Sequence, residues 1–208
     1  MTARGRFIAL EGGEGVGKST QLRLLAEALR ARGEGVVTTR EPGGTPGAEA
    51  IRAMLLDTNG DGWGPRAEAL LFAAARADHV DKVIRPALER GEWVLTDRYL
   101  DSSRAYQGGG SGLEDADILA LHRIGSAGLL PDRTLLLVLA PAETAQRLAL
   151  RDAGRSDRIG GRDAAYHARV AARFRALADA DPARFAVIDA AGSADAVHAR
   201  IMAALDAA

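Results

Sequence analysis

The sequence predicts an α/β fold: a three-layer sandwich whose five-stranded parallel sheet carries helices on both faces. Three observations predict it. Five short apolar runs lack polar alternation, long amphipathic segments separate them in turn, and glycine- and arginine-bearing stretches follow the runs directly. Apolar runs without alternation are how strands buried on both faces read. Strict alternation of strand and helix implies right-handed crossovers and a parallel sheet.

The runs are Phe7 to Leu10, Val36 to Thr39, Trp93 to Thr96, Thr134 to Leu139 and Phe185 to Ile188. Helical patterns fill the intervals: Gly17 to Arg32, Gly47 to Leu56, Pro65 to Arg90, Glu114 to Ala127, Ala142 to Ala153 and Ala164 to Ala180. A final helix spans Ser193 to Ala207, with Ser193 suited to its N-cap. In such sheets ligands gather beyond the carboxyl ends of the strands, so chemistry is expected there.

The 208 residues are expected to form one domain, 1–208, and the formal net charge of -1 gives no general pull toward nucleic acid or anionic membrane. Cysteine is absent, which excludes disulfides, thiolate metal sites and cysteine nucleophiles. The first apolar run is too short for a signal sequence, and no stretch reaches membrane-span length. A cytoplasmic protein is expected. Arginines gather from Arg147 to Arg175, either as the solvated face of a helix pair or as a local anion site.

After the first run stands Gly12-Gly13-Glu14-Gly15-Val16-Gly17-Lys18-Ser19, a glycine, four residues, then Gly-Lys-Ser. Preceded by a strand and followed by a helix, this is a P-loop, and it places the fold in the P-loop NTPase type. The loop's N–H groups converge on phosphate oxygens, Lys18 bridges the β- and γ-phosphates, and the Ser19 hydroxyl holds Mg2+. Residues 12–19 with Thr20 are therefore expected to bind ATP, since no guanine-reading Asn-Lys-x-Asp motif occurs. A glycine-rich turn before an unrelated helix is the competing reading.

The third run ends in Asp97-Arg98-Tyr99. Asp97 can orient the Mg2+ hydration shell, and the Arg98 fork suits a second phosphate; an exposed pair of no consequence is the alternative. The second run ends in Arg40-Glu41-Pro42-Gly43-Gly44, where Arg40 and Glu41 open into the crevice unless this is an ordinary connecting loop. Ser102, Ser103, Tyr106 and Gln107 add neutral hydrogen bonders and an aromatic, or belong to a capped helix ending at Gly108 to Gly110. Together these features describe an enzyme that transfers a phosphoryl group between two phosphorylated ligands. The four histidines form no cluster and are read as structural or surface residues.

The chain resembles the thymidylate kinase family from Phe7 to about Ala178. The resemblance rests on Leu10 to Ser19, Arg40 to Thr45, Leu71-Phe72-Ala73-Ala74-Ala75-Arg76, Asp97 to Gly108 and Asp157-Arg158-Ile159. It implies transfer of a phosphoryl group from MgATP to dTMP, and a homodimer. It also implies that Phe72, by periodicity alone a core residue, stacks on the thymine, and that Arg76 bonds a thymine carbonyl. Arg98 would clamp the dTMP phosphate, while Glu14 would reach the deoxyribose 3′-hydroxyl or Mg2+. Tyr106 would fill the space of a ribose 2′-hydroxyl, Ser103 and Gln107 would bind near the base, and Arg40 and Glu41 would contact substrate. Gly15 stands where some members carry a P-loop arginine, so the chain resembles the bacterial class whose lid, about 150–162, supplies it. Arg151 and Arg155 are the candidates, because Ala153 stands where relatives often place that arginine. Gly160 and Ala75 replace a glutamate and an aspartate frequent in the family. Other kinases on this scaffold, or a nucleotide-driven switch, are the competing functions; turnover that depends on dTMP separates them.

Overall fold

The computed structural model describes residues 4–152 and 157–207, apart from the side chains at 148 and 150–152. Strands β1 (Phe7–Glu11), β2 (Val36–Arg40), β3 (Trp93–Asp97), β4 (Arg133–Val138) and β5 (Phe185–Asp189) form a sheet in the order β2-β3-β1-β4-β5. All four pairings are parallel. Alternate residues of a strand face opposite layers, and β1 uses both. Ile8 and Leu10 meet Leu25 and Leu29 of α1 (Lys18–Ala31), and the same layer holds Val197 and Ile201 of α9 (Ala194–Asp206). Phe7 and Ala9 face the other side, toward Val80, Ile84, Leu88 and Leu100. Leu136 and Phe185 complete that side against Val170, Phe174 and Leu177 of α8 (Ala164–Ala180). Each such side chain, fully buried, is worth roughly 1.5–3 kcal/mol.

The remaining helices are α2 (Pro46–Leu56), α3 (Pro65–His79), α4 (Arg85–Glu89), α5 (Leu100–Ser103), α6 (Asp115–Ser126) and α7 (Pro141–Asp152). Thr45 caps α2 by accepting the Ala48 N–H at 3.0 Å, and Ser193 caps α9 as expected, accepting from Ala196 at 3.2 Å.

Three sequence expectations change. Complete burial holds for β1 and the middles of β3 and β4, but β2 and β5 are edge strands with half-exposed faces. Glu11, Arg40 and Asp97, each one residue past an apolar run, belong to the strand ladders; Asp97 is in register with both Leu10 and Arg40. The pattern from Pro65 to Arg90 is not one α-helix. A π-helical segment, Val80–Ile84, separates α3 from α4. Pro86 lacks the N–H that would bond one turn back, and the wider turn absorbs that loss. A second π-helical segment, Arg104–Gly110, continues α5 through the glycine run and carries Tyr106 and Gln107. Such widened turns concentrate at functional sites. Among the described residues no helix is long and apolar enough to cross a membrane.

Candidate active site

A cleft of about 440 Å3 opens beyond the carboxyl ends of β1, β2 and β3. Its floor is the loop between β1 and α1. Gly12 takes φ 134°, and a Cβ there would lie 2.4 Å from the Leu137 carbonyl oxygen, so only glycine lets β1 turn under β4. Val16 sends its side chain into the α1–α9 core and anchors the loop from below. Glu14, Gly15, Gly17, Lys18, Ser19 and Thr20 line the cleft. Lys18 Nζ donates to the carbonyls of Gly13 at 2.6 Å and Gly12 at 3.2 Å. Burial, aided by the Arg98 guanidinium, pulls the Lys18 ammonium down to about 8. The Ser19 hydroxyl donates to Asp97 Oδ2 at 2.8 Å, which brings together the two residues read as metal-binding. Among the described residues no group of three or more metal-ligating side chains forms. A hydroxyl and a carboxylate suit Mg2+, which keeps waters and takes phosphate oxygens for the rest of its shell.

Arg98 holds φ 73°, a left-handed conformation rare outside glycine. Its backbone N–H bonds the Leu10 carbonyl at 2.9 Å. Its side chain donates to the Gly12 carbonyl at 3.0 Å and to Ser102 Oγ at 3.2 Å, lying 5.0 Å over the Tyr106 ring. The sequence reading gave no role to the residue that fixes this geometry, Glu11. Fully buried at the end of β1, its carboxylate accepts the Tyr99 and Ser102 N–H groups at 2.8 and 3.0 Å and the Ser102 hydroxyl at 2.6 Å. Burial, then the nearby Asp101, pushes the Glu11 carboxyl up to about 7. An acid ending an apolar run was the available signal.

The far end of the cleft is less polar: Phe72, Leu56 and Ile159 line it with Ser103, Tyr106 and Gln107. Phe72 is half-buried and belongs both to this wall and to the core edge, so the two readings of it describe one position. The Tyr106 ring packs edge-on to Phe174 and beside Tyr166, while its buried hydroxyl makes no well-aligned hydrogen bond among the described residues.

Arg76 lies one layer beneath the wall. Its guanidinium donates to Glu41 Oε2 at 2.7 Å, to the Tyr99 carbonyl at 3.2 Å and to Ser103 Oγ at 2.9 Å. Glu41 also meets His79 Nδ1 at 3.0 Å, and His79 Nε2 meets Thr39 Oγ1 at 2.7 Å. Burial works against the Glu41 carboxylate, but Arg76 and His79 outweigh it and hold its pKa below the usual range. His79, fully buried, thus has a structural part behind the cleft, in keeping with the reading of the histidines as structural or surface residues. Glu41 reaches the cleft; Arg40 does not join it. Arg40 is exposed, pairs with Glu49 at 3.1 Å and lines a shallow depression that adjoins the cleft at Ser19 and Asp97.

Arg155 lies outside the described residues, as does the side chain of Arg151. In the described part of the predicted lid, Asp157 Oδ1 accepts the N–H groups of Ile159 and Gly160 at 3.0 and 2.8 Å. Arg158 binds the carbonyls of Asp57, Asn59 and Gly60, and Arg162 pairs with Glu68 at 2.5 Å. A Cβ on Gly160 would stand 2.7 Å from Glu14 Oε2, so the missing glutamate leaves the room that Glu14 uses. The arginine cluster therefore divides: Arg173 pairs with Asp115 and Arg169 with the Gly110 carbonyl, while Arg147 lines the cleft and binds the Ala190 carbonyl at 3.1 Å. Arg147 and Arg52 carried no individual sequence signal. Arg52 reaches the cleft from α2 and donates to the Pro42 carbonyl at 2.8 Å.

Comparison with known proteins gives the family and the fold. Residues 10–201 match the family model for thymidylate kinase. The chain is 61% identical over 201 residues to a thymidylate kinase of Rhizorhabdus wittichii, covering 97% of each. It is 50% identical over 203 residues to one from Nitrobacter winogradskyi, covering 97% of this chain and 88% of that one. The crystal structure of thymidylate kinase from Ehrlichia chaffeensis superposes with a TM-score of 0.79 at 31% identity, over 97% of this chain and 99% of the other.

Proposed function

The chain belongs to the thymidylate kinase family, and from that premise we propose that it transfers the γ-phosphoryl group of ATP to dTMP, giving dTDP and ADP. One observation carries the reading. Lys18 Nζ and Arg98 Nη1 both donate to the Gly12 carbonyl, at 3.2 and 3.0 Å. The cation that receives the donor phosphates and the cation suited to the acceptor phosphate therefore meet at one atom. Two phosphates held by them are brought together, which is the alignment phosphoryl transfer requires.

The acceptor is an anionic phosphate oxygen, so no general base is needed, and the cleft relies on position and charge. Loop N–H groups and Lys18 hold the ATP phosphates. Arg98 holds the dTMP phosphate, kept in register by Glu11 through Ser102, and Arg52 adds a second positive group on that side. Phe72 stacks on the base, and Tyr106 packs on the sugar and offers its hydroxyl. Arg76 fixes Ser103 from below while Glu41 fixes Arg76. Ser19 and Asp97, with Glu14 at the loop, would hold Mg2+, which would supply positive charge to offset that of the phosphates. Arg147, beside Gly17, faces the outer part of the ATP site, and Arg151 or Arg155 supplies the lid cation. We also read the protein as a homodimer. Leu70 on α3 and Leu119 and Ile124 on α6 are exposed apolar residues on two helices that pack side by side. Sedimentation equilibrium at twice the chain mass is the expected result.

Steady-state turnover with MgATP against dTMP, dUMP, UMP, GMP and AMP tests the reading. Turnover should be fastest with dTMP and should stop on chelation of the metal. Slow ATP hydrolysis unchanged by any monophosphate would replace the kinase with a nucleotide-driven switch.

A further inference from the structure

Glu68 is a carboxylate in the first turn of α3, only 2% exposed, and it does not itself line the cleft. Its two oxygens are each spoken for. Oε1 accepts Gln107 Nε2 at 2.8 Å, and Oε2 accepts Arg162 Nη2 at 2.5 Å. Gln107 is 1% exposed, and it does line the cleft. An amide has one donating and one accepting end, and a carboxylate only accepts. Glu68 therefore takes the NH2 end of Gln107, and the carbonyl end, Oε1, is the one left for the cleft. Among the described residues nothing donates to Gln107 Oε1.

We propose that Glu68 is a positioning residue for base selectivity: by holding the Gln107 amide in one orientation it presents an acceptor to the pyrimidine. Thymine and uracil carry an N3–H donor, whereas cytosine carries a bare N3 acceptor. The fixed Oε1 bonds the first two and confronts the third with two acceptors and no proton. The inference rests on the reading of Gln107 as a base contact, and it adds a cause for that residue's choice of base.

Arg162 decides what a substitution does. In Glu68→Gln the new amide is nearly isosteric, but Arg162 is always a donor and claims its oxygen. The new NH2 then faces Gln107, whose amide must turn over and present NH2 to the cleft. The measurement is the ratio of kcat/KM for dTMP to that for dCMP, in which general damage to the fold cancels. Glu68→Gln should lower the ratio by about tenfold or more, as expected when a buried hydrogen bond loses its partner. The dTMP KM should rise and kcat/KM for dCMP should rise too. Adding Arg162→Met frees the new amide to turn its oxygen to Gln107, and the ratio should recover in part. A ratio within twofold of the parent in Glu68→Gln, or no recovery in the double variant, overturns the proposal. Gln107→Leu separates this failure from failure of the site reading. If Gln107→Leu raises the dTMP KM while Glu68→Gln leaves the ratio alone, only the orienting role falls. If Gln107→Leu changes nothing, Gln107 does not meet the base and both readings fall.

Discussion

Removing one oxygen from Tyr106 should make the protein more stable and leave its sugar preference intact. The Tyr106 hydroxyl is buried and makes no well-aligned hydrogen bond among the described residues, Arg98 being the one donor in reach, beside a ring held by Phe174 at 6.1 Å and Tyr166 at 6.3 Å. An unsatisfied buried hydroxyl costs about 1–3 kcal/mol, and Tyr106→Phe recovers that cost without leaving a cavity large enough to offset it. For a chain of 208 residues the unfolding entropy near 60 °C is roughly 0.44 kcal/mol/K, so each kcal/mol moves Tm by about 2–3 °C. Tyr106→Phe should therefore melt about 2–7 °C higher in the absence of nucleotide. Tyr106→Ala removes the whole ring and should cost about 3–5 kcal/mol, or roughly 7–11 °C. Calorimetry on the ligand-free proteins measures both shifts. Kinetics with dTMP and its ribonucleotide counterpart then separate bulk from hydrogen bonding: Tyr106→Ala should narrow the gap between them, and Tyr106→Phe should not. A Tyr106→Phe protein that melts below the parent would mean that Arg98 already satisfies the hydroxyl, and the argument fails.

Phe72→Ala should raise the dTMP KM about tenfold or more, since a base stack is worth about 1–3 kcal/mol, with little change for ATP; equal effects on both nucleotides would return Phe72 to the core alone. Only charged Lys18 binds phosphate, and its ammonium is pulled down to about 8, so kcat/KM for ATP should fall as pH rises through about 8. Lys18→Ala should abolish turnover with circular dichroism unchanged, because the loop backbone and Val16 shape the cradle; retained activity of more than a few per cent refutes its role. In the lid, Arg155→Ala should lower kcat by about a hundred- to a thousandfold, the scale for losing a donor to developing charge, while Arg151→Ala acts mainly on the ATP KM. A kcat for Arg155→Ala within threefold of the parent would make that arginine a solvated charge.

What could be read in the sequence depended on how far apart the partners lie along the chain. The P-loop is legible because its glycines, Lys18 and Ser19 are consecutive and each has a local reason to be there. The fold is legible because strand and helix periods differ, and the polar residues ending β1, β2 and β3 blurred only their last positions. Glu11, by contrast, acts on Ser102 across 91 residues, Glu41 on Arg76 across 35, and Glu68 on Arg162 across 94. A local pattern can mark such an acid, as Glu11 ends an apolar run and Glu41 follows one, but it does not name the partner. Glu68 in the first turn of α3 serves the helix dipole whether buried or exposed, and Arg147 and Arg52 sit on helices where arginine is ordinary.

These three hidden acids share one geometric relation to the cleft. Glu11 holds Ser102, which meets Arg98; Glu41 holds Arg76, which meets Ser103; and Glu68 holds Gln107. In each case a carboxylate fixes a group that faces or supports the cleft wall. A cleft that must bind two polyanions has to keep Lys18, Arg98, Arg52 and Arg147 on its surface, where Glu14 and Asp97, the acids read as metal-holding, stand with Asp157. Glu41 borders the cleft too, but its carboxylate is taken by Arg76 and His79 behind the wall. Acids placed one layer below do something else. They spend no donor that phosphate needs, and they prevent the side chains above from turning to other partners. The positive wall therefore stays aimed at its ligands because the negative charge that steadies it is buried behind it.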